Sequence, residues 1–316
     1  MKKLLSVVLA VMMAVTGFSA FGINAFAEET KNGWVKEQAA YYYEAEDRMI
    51  YFDYDIDYYY INGVKATGFQ VIDGKKYYFN SNGWVEKGLF YVDDVPYYSD
   101  ENGVVQTNCW QDVDMGAPEE GYSYILRFCF GSDGAGYMGW KKMNNEWYHF
   151  GESDSVFPGA LDRAYYYDEA TGKAYFFNDD GVMLKNCWVK IDYTEEIEGF
   201  IDWFYVGSNG VVYTGWHKIK GTWYYFDKDF GNMNTGWQKI NKKWYYFKKS
   251  GAMVTGWQKI GKKWYYFNSS GVMKTGWLKL KGKWYYLDAN GAMVTGSRKI
   301  GKKNYKFNSS GVCQNP

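Results

Sequence analysis

Paired tryptophans recur along the C-terminal part of the chain at a spacing that could bring aromatic rings together. Trp and Tyr rings attract cations through their faces and stack on the apolar faces of sugars. The regular recurrence favours several equivalent binding sites for a cation or a saccharide. Gly-Trp occurs at 215–216, 236–237, 256–257 and 276–277, and Trp-Tyr-Tyr followed by Phe or Leu occurs at 223–226, 244–247, 264–267 and 284–287.

A structural role for these rings is the competing interpretation. The sequence contains 33 Tyr and 15 Trp, and 22% of its residues are aromatic, so many rings must form the core. We assign positions of the Tyr266 and Phe267 type to the core. We assign the tryptophans to binding, because their number exceeds what the packing of short repeats requires.

The elements that position the rings can be read from one repeat. Residues 257–260 form a short strand, Gly261 begins a tight turn, and residues 264–267 form the return strand, rich in strong β-formers. A second Gly-containing turn leads to the next repeat. A lone hairpin is marginal in water, so the hairpins must bury their aromatic side chains on neighbours. The sequence therefore predicts an all-β fold, a solenoid of stacked hairpin repeats of about 20 residues.

Alternation along the return strand divides its rings between two neighbours. Trp264 and Tyr266 should point to one side, whereas Tyr265 and Phe267 should point to the other. Aromatic pockets between consecutive hairpins follow from this arrangement.

Charge divides the chain into two regions. Residues 28–213 carry 33 acidic and 14 basic side chains and contain divergent aromatic repeats with insertions. Residues 214–316 carry 20 basic and 3 acidic side chains and contain the regular repeats. This asymmetry favours different partners for the two regions, with a polyanion for the basic one. A solvated lysine-rich rim is an equally weighted alternative.

The N-terminal segment 1–27 has the features of a secretory signal peptide. Lys2 and Lys3 precede an apolar run, which ends at Ala25-Phe26-Ala27. We therefore expect a secreted protein with no membrane span, located at the cell wall or cell surface.

Catalytic and metal-binding patterns are weak. The two histidines, His149 and His217, lie at repeat positions, so we interpret them as substituted strand residues. Asp112, Asp114 and Asp192 are a poor calcium motif. No nucleophile elbow, zinc spacing or phosphate loop stands out, and the repeats leave no segment for a catalytic domain. We expect no enzyme activity, cofactor, metal or nucleic-acid partner. We expect the cysteines (Cys109, Cys129, Cys187 and Cys313) to be unpaired, with Cys109 and Cys187 replacing Gly at tight positions.

The unit Thr-Gly-Trp-x-Lys-Ile-x-Gly-Lys-Trp-Tyr-Tyr-Phe-x-x-x-Gly-x-Met resembles the choline-binding, or cell-wall-binding, repeats of Gram-positive surface proteins. The resemblance is specific over 214–296. Over 32–213 it is looser and extends equally to glucan-binding repeats and to the carbohydrate-binding repeats of clostridial toxins. It implies one ligand between successive hairpins, held by an aromatic cage. The implied cages are Trp216, Trp223 and Tyr245; Trp237, Trp244 and Tyr265; Trp257, Trp264 and Tyr285; and Trp277, Trp284 and Tyr305.

The resemblance implies a non-catalytic protein that binds choline or phosphocholine of teichoic acids, or a wall polysaccharide. A saccharide-binding adhesin of the glucan type is the alternative, and a wall hydrolase is a third hypothesis. Solenoid ends can pair, so a homodimer is compatible with the expected fold.

Overall fold

The computed structural model describes residues 31–45, 48–116, 123–193 and 201–316, so the segment 1–27 lies outside the described residues. The described residues form strands and turns. Their strands are β1 (Gly33–Ala45), β2 (Arg48–Ile61), β3 (Val64–Lys65), β4 (Gly68–Ile72), β5 (Lys75–Phe79), β6 (Gly88–Val92), β7 (Val95–Ser99), β8 (Cys109–Asp114), β9 (Ile125–Phe130), β10 (Gly139–Met143), β11 (Glu146–Phe150), β12 (Tyr165–Asp168), β13 (Lys173–Phe176), β14 (Cys187–Asp192), β15 (Ile201–Val206), β16 (Gly215–Ile219), β17 (Thr222–Phe226), β18 (Gly236–Ile240), β19 (Lys243–Phe247), β20 (Gly256–Ile260), β21 (Lys263–Phe267), β22 (Gly276–Leu280), β23 (Lys283–Leu287), β24 (Gly296–Ile300) and β25 (Lys303–Phe307).

The chain forms two compact units. One contains the described residues up to Phe90 together with Tyr98–Val105, and the other contains Tyr91–Tyr97 and Gln106–Pro316, so the division runs through β6 and β7. In the first unit β1, β2 and β3 form an antiparallel sheet and β4 pairs with β5. In the second unit β8 to β25 pair consecutively as antiparallel hairpins. Within the described part of the chain, no helix has the length and apolarity needed to cross a bilayer.

Each regular hairpin closes through a tight turn, as the sequence predicts. In β18–β19, Trp237 lies opposite Tyr246 and Lys239 lies opposite Trp244. The two turn residues, Asn241 and Lys242, have φ values of 49° and 65°. Positive φ at both positions defines the type I′ turn, whose twist matches that of the paired strands.

Stacking of the hairpins uses the loop that follows each return strand. The amide of Met253, in the loop after β19, donates to the carbonyl of Trp223 on β17 at 2.8 Å. The same bond recurs from Met273 to Trp244 and from Met293 to Trp264, each at 2.8 Å. Each loop therefore fixes its hairpin on the preceding one. These repeated contacts confirm the predicted solenoid of stacked hairpins.

The core of the stack is a column of phenylalanines and one leucine at the ends of the return strands. Their burial supplies the apolar area that a single hairpin lacks, at about 1.5–3 kcal/mol for each side chain. The fully buried members are Phe226, Phe247, Phe267 and Leu287.

The Gly-x-Met end of each repeat locks successive loops together. Gly251 has a φ of 76°, and a Cβ atom placed on it would lie 2.0 Å from the sulfur of Met233 in the preceding loop. The same glycine position meets the methionine of the preceding loop at Gly271, Gly291 and Gly311. Only glycine leaves room for that sulfur.

We expect Gly251→Ala to lower the free energy of unfolding by about 2–4 kcal/mol, because it adds both backbone strain and overlap with Met233. Gly256→Ala is the matched control: its φ is 70°, but no atom lies within 4 Å of an added Cβ. The control should lose only about 1–2 kcal/mol. Thermal and urea unfolding of the full-length variants measure the difference. Equal losses would contradict the proposed interlock.

The cysteines are free thiols. Cys109 takes the pairing position of the strand glycine, opposite Phe130, but the left-handed conformation has moved to Asn108, whose φ is 50°. Asn186, before Cys187, behaves in the same way with a φ of 51°. Asn tolerates this conformation better than Cys, because its short polar side chain can form hydrogen bonds with the local backbone. Burial raises the pKa of Cys129 to about 11, so this thiol stays protonated at neutral pH.

Candidate functional site

The first predicted cage combines one hairpin with the next. Trp216 on β16 and Trp223 on β17 lie nearly perpendicular, with ring centroids 6.2 Å apart. Tyr245 on β19 lies 4.9 Å from Trp216 in an edge-to-face arrangement. These rings face one another because Trp223 and Tyr225 point from β17 toward the next hairpin, whereas Tyr245 and Phe247 point back from it.

The cage is open on one side and closed on the other. Trp223 is 42% exposed, whereas Tyr245 is 9% exposed. The three rings line a cavity of about 290 Å³, together with Met253, Ser269 and Ser270. A small ligand could therefore enter from solvent and contact several π faces without any change in the core.

The other three predicted cages repeat this geometry, so the structure brings each predicted set together. In every case the first tryptophan meets the tyrosine of the next hairpin at about 5 Å, and the second tryptophan occupies the same register position. The centroid distances are 6.2 Å for Trp237–Trp244, 4.9 Å for Trp237–Tyr265, 5.1 Å for Trp257–Tyr285, 6.0 Å for Trp277–Trp284 and 4.8 Å for Trp277–Tyr305, and Trp264 lies opposite Lys259.

A lysine lies opposite the second tryptophan of each cage in the strand pairing. Cross-strand pairing places Lys239 opposite Trp244, and its Nζ lies 5.8 Å from the ring centroid. Lys279 Nζ lies 5.3 Å from the centroid of Trp284. A positive charge therefore stands at the rim of a cage that could itself hold a cation, which favours a ligand carrying an anion next to its cationic group.

The structure also places two further sets of three rings that the sequence reasoning did not identify. Trp140 lies 6.3 Å from Trp147 and 4.7 Å from Tyr175 of the next hairpin. The sequence does carry a signal for this set, because six residues separate Trp140 from Trp147, as they separate the paired tryptophans of the regular repeats. In the second set, Trp188 lies 5.1 Å from Tyr224, and Trp203 occupies the register position of the second tryptophan. An insertion separates Trp188 from Trp203 and hides the spacing.

Other divergent hairpins fill the corresponding position with a charged side chain. Arg127 stands where the second tryptophan would pair, in the hairpin of Trp110. It donates to Asp112 from Nε at 2.6 Å and from Nη2 at 2.8 Å. In β4–β5, Lys76 takes this place, and its Nζ lies 4.1 Å from the centroid of Phe69. These hairpins do not form a ring set of the same kind.

The aspartates considered for calcium have other partners. Asp112 pairs with Arg127, Asp114 accepts a hydrogen bond from Ser123 at 2.7 Å, and Asp192 pairs with Lys190 at 2.7 Å. The bond from Arg127 holds the pKa of Asp112 below its ordinary value. Among the described residues, no group of three or more His, Cys, Asp or Glu side chains is placed to hold a metal.

The two histidines occupy different surroundings. His217 stacks on Tyr213 at 3.7 Å, and burial lowers its pKa despite a hydrogen bond to the Thr214 carbonyl. His149 replaces the repeat tyrosine opposite Trp140 and is 1% exposed. Its Nδ1 lies 2.5 Å from an Asp162 carboxylate oxygen. Two acidic pairs that a glycosidase could have used, Glu119-Glu120 and Glu195-Glu196, lie outside the described residues.

Comparison with known proteins identifies the repeats. A family model described as a choline-binding repeat matches residues 66–110, 234–259 and 254–297. A model described as a cell wall binding repeat matches residues 138–153 and 214–229. The chain therefore carries repeats of the choline-binding, or cell-wall-binding, family.

Solved structures support the same assignment. CbpJ from Streptococcus pneumoniae TIGR4 is 27% identical, with 87% of this chain and 100% of CbpJ covered and a TM-score of 0.65. Choline binding protein F from Streptococcus pneumoniae is 28% identical, with 87% and 98% covered and a TM-score of 0.61. Its structure in the presence of a peptidoglycan analogue gives the same identity and coverage and a TM-score of 0.62. No curated protein matches the chain.

Proposed function

We propose that this protein is a secreted, non-catalytic cell-wall-binding protein that attaches to choline-bearing teichoic polymers through its aromatic cages. The observation that carries the proposal is the repeated cage of two tryptophans and a tyrosine, with the second tryptophan open to solvent. Choline is a quaternary ammonium whose nitrogen has no N–H to donate. A protein holds such a cation by π faces rather than by hydrogen bonds.

The expected strength of one cage explains why the cage is repeated. Three rings contribute about 2–5 kcal/mol before losses, which corresponds to roughly millimolar binding. Several sites on one chain that face a polymer with repeated choline groups gain about 10²–10⁴ in avidity. The C-terminal cages over residues 214–316 would thus anchor the protein, and the acidic residues 28–213 would be presented outward.

The lysines at the cage rims favour phosphocholine over free choline. In a phosphocholine group the phosphate is joined to the quaternary ammonium by two carbons. With the ammonium inside the cage of Trp237 and Trp244, the phosphate would lie near the rim, where Lys239 is. A phosphate on a teichoic polymer would be recognised in the same way.

We expect Lys239→Gln to weaken phosphocholine binding at its cage by about two- to fivefold, because an exposed ion pair contributes about 0.2–1 kcal/mol. Choline binding should stay the same or improve slightly, since the substitution removes a positive charge beside the cage. Titrations of the full-length variant with both ligands measure the two effects. Equal losses for choline and phosphocholine would contradict the role of the lysine. Lys220→Gln, in the turn of β16–β17, is the control for general loss of charge.

Wall binding itself is tested by sedimentation with purified choline-bearing cell walls. Choline should release the bound protein, whereas glucose and dextran should not. Release by dextran alone, with none by choline, would contradict the proposal and support the saccharide-binding alternative. The non-catalytic role would be contradicted if the protein degraded the wall and if this activity disappeared when an Asp or Glu in one of the acidic insertions was substituted.

A further inference from the structure

A second kind of pocket lies beside Trp140, next to the cage that Trp140 forms with Trp147 and Tyr175. This pocket has a volume of about 560 Å³, and its wall includes Trp140 and His149 but neither Trp147 nor Tyr175. It is therefore a cavity distinct from the aromatic cage.

An insertion that the regular repeats lack builds this pocket. In a regular repeat the last phenylalanine of the return strand pairs with the loop methionine six positions later, as in Phe247 and Met253. Here the equivalent partners, Phe150 and Leu161, are eleven positions apart. The additional residues bring Glu152 and Ser155 to the wall of the pocket.

The histidine of this repeat comes with its own acidic partner. The amide of Asp162 donates to the His149 carbonyl at 2.9 Å, as the amide of Val254 donates to the Tyr246 carbonyl at 3.0 Å in a regular repeat. The two positions thus correspond, and His and Asp together replace Tyr and Val. The His149 ring stacks on Tyr166 at 3.8 Å, and its Nδ1 bonds to Asp162.

The pocket wall is acidic, and Lys173 lies opposite one of its carboxylates, Asp168, on the paired strand. The acidic residues of the wall are Glu152, Asp154, Asp162, Asp168 and Glu169, and the described residues that line it include neither lysine nor arginine. Burial and the charges of Glu152, Asp168 and Asp162 raise the pKa of Tyr166, which reflects this negative field. The regular cages differ, since each has a lysine paired opposite its second tryptophan.

Two buried polar atoms of residues in the pocket wall have no hydrogen-bond partner within the protein. They are His149 Nε2 and Ser155 Oγ, and both residues line the cavity. Nε2 points toward Glu152, whose Oε1 is 3.8 Å away, too far for a hydrogen bond. In the neutral tautomer whose Nδ1–H donates to Asp162, Nε2 is an acceptor that an N–H group of a ligand would satisfy. Buried polar groups without a partner are rare, so these two atoms mark this wall as a place where a ligand could form hydrogen bonds.

We propose that this acidic pocket binds an organic primary ammonium ion through its N–H groups, as a site separate from the choline cages. An ammonium with N–H groups can donate to the carboxylates, to His149 Nε2 and to Ser155 Oγ, and can also contact the faces of Trp140 and Tyr166. A quaternary ammonium has no such donors, so it leaves these acceptors unsatisfied. The proposal goes beyond choline binding and does not depend on it.

Histidine NMR provides a direct test, because the chain contains only two histidines. The full chain is titrated with 1,5-diaminopentane at low ionic strength, with and without saturating choline. The diamine should shift the imidazole signals of His149 in both conditions and leave those of His217 unchanged. Loss of the shift in saturating choline would show that the diamine merely competes for the cage, and it would overturn the separate site.

Matched variants distinguish a built site from general attraction to an acidic surface. Glu152→Gln should raise the diamine Kd by about two- to fivefold and the double variant with Asp162→Asn by about fivefold or more. The exposed Glu101→Gln in the first unit is the control and should leave it unchanged. The proposal would be overturned if Glu101→Gln weakened diamine binding equally, or if His149 showed no shift up to about 10 mM diamine. That concentration is roughly the limit of meaningful affinity for a site of this size. Choline binding measured in parallel is expected to be normal in all these variants, so its failure would concern the proposed function alone.

Discussion

Phe247→Ala is expected to lower the free energy of unfolding by about 3–5 kcal/mol. Phe247 is fully buried at the end of β19, where its ring lies 5.7 Å from Trp216 of the preceding hairpin. The substitution therefore leaves a cavity between two repeats as well as removing apolar area. In a solenoid, each repeat depends on the interfaces with its neighbours, so the loss should be largest for the repeats on either side.

Hydrogen exchange and urea unfolding of the full chain measure this effect. Phe230→Ala is the matched control, because Phe230 is 77% exposed, and it should change stability by less than about 0.5 kcal/mol. A loss below about 1 kcal/mol for Phe247→Ala would show that the phenylalanine column does not hold the stack together.

Trp244→Ala is expected to weaken choline binding at its own cage by about tenfold, because one of three π faces is lost. Trp244 is 41% exposed and lies 6.2 Å from Trp237, so its removal should cost little stability. Isothermal titration of the variant should show about one site fewer than the parent chain, with the other sites unchanged. Circular dichroism verifies that the hairpins are intact.

Phe230→Ala is also the control for this experiment. It removes an aromatic side chain outside the cages and should leave every choline site in place. If Trp244→Ala retained all sites at their original affinity, the second tryptophan would not belong to the ligand contact. Trp264→Ala, at the same position of the next repeat, should repeat the result.

The sequence was sufficient to predict the hairpin and the grouping of the rings. Turn residues such as Gly261, strand formers and a period of 20 residues are local signals, and each is found in the structure. Alternation along the return strand places Tyr245 and Tyr265 toward the preceding tryptophans, as predicted. The role of these rings in binding stays a prediction until a ligand is measured.

The repeat period could not predict the features that depend on insertions. Trp188 and Trp203 are 15 positions apart, and the register of the paired strands, rather than a fixed spacing, places them in the same hairpin. The pairing of His149 with Asp162 likewise crosses an inserted loop. The sequence alone suggested that Cys109 simply replaces a glycine. Only the backbone geometry shows that the left-handed conformation has moved to Asn108.

The division between an anchoring basic region and an outward acidic region stays a prediction. The ring set at Trp140 lies within the acidic part, and the set at Trp188 joins Trp188 of the acidic part to Tyr224 of the basic part, so wall contact could extend to residues before 214. Choline binding by these two ring sets would lengthen the part of the chain that contacts the polymer.

Calorimetric titration of the full chain with choline tests the central claim most directly. Six complete sets of rings are present among the described residues: the four predicted cages and the sets of Trp140 and Trp188. We expect binding at several sites with Kd values of about 1 mM, accompanied by a change in tryptophan fluorescence. No heat and no fluorescence change up to about 100 mM choline, a hundredfold above that Kd, would contradict it and would favour a saccharide as the ligand of the cages.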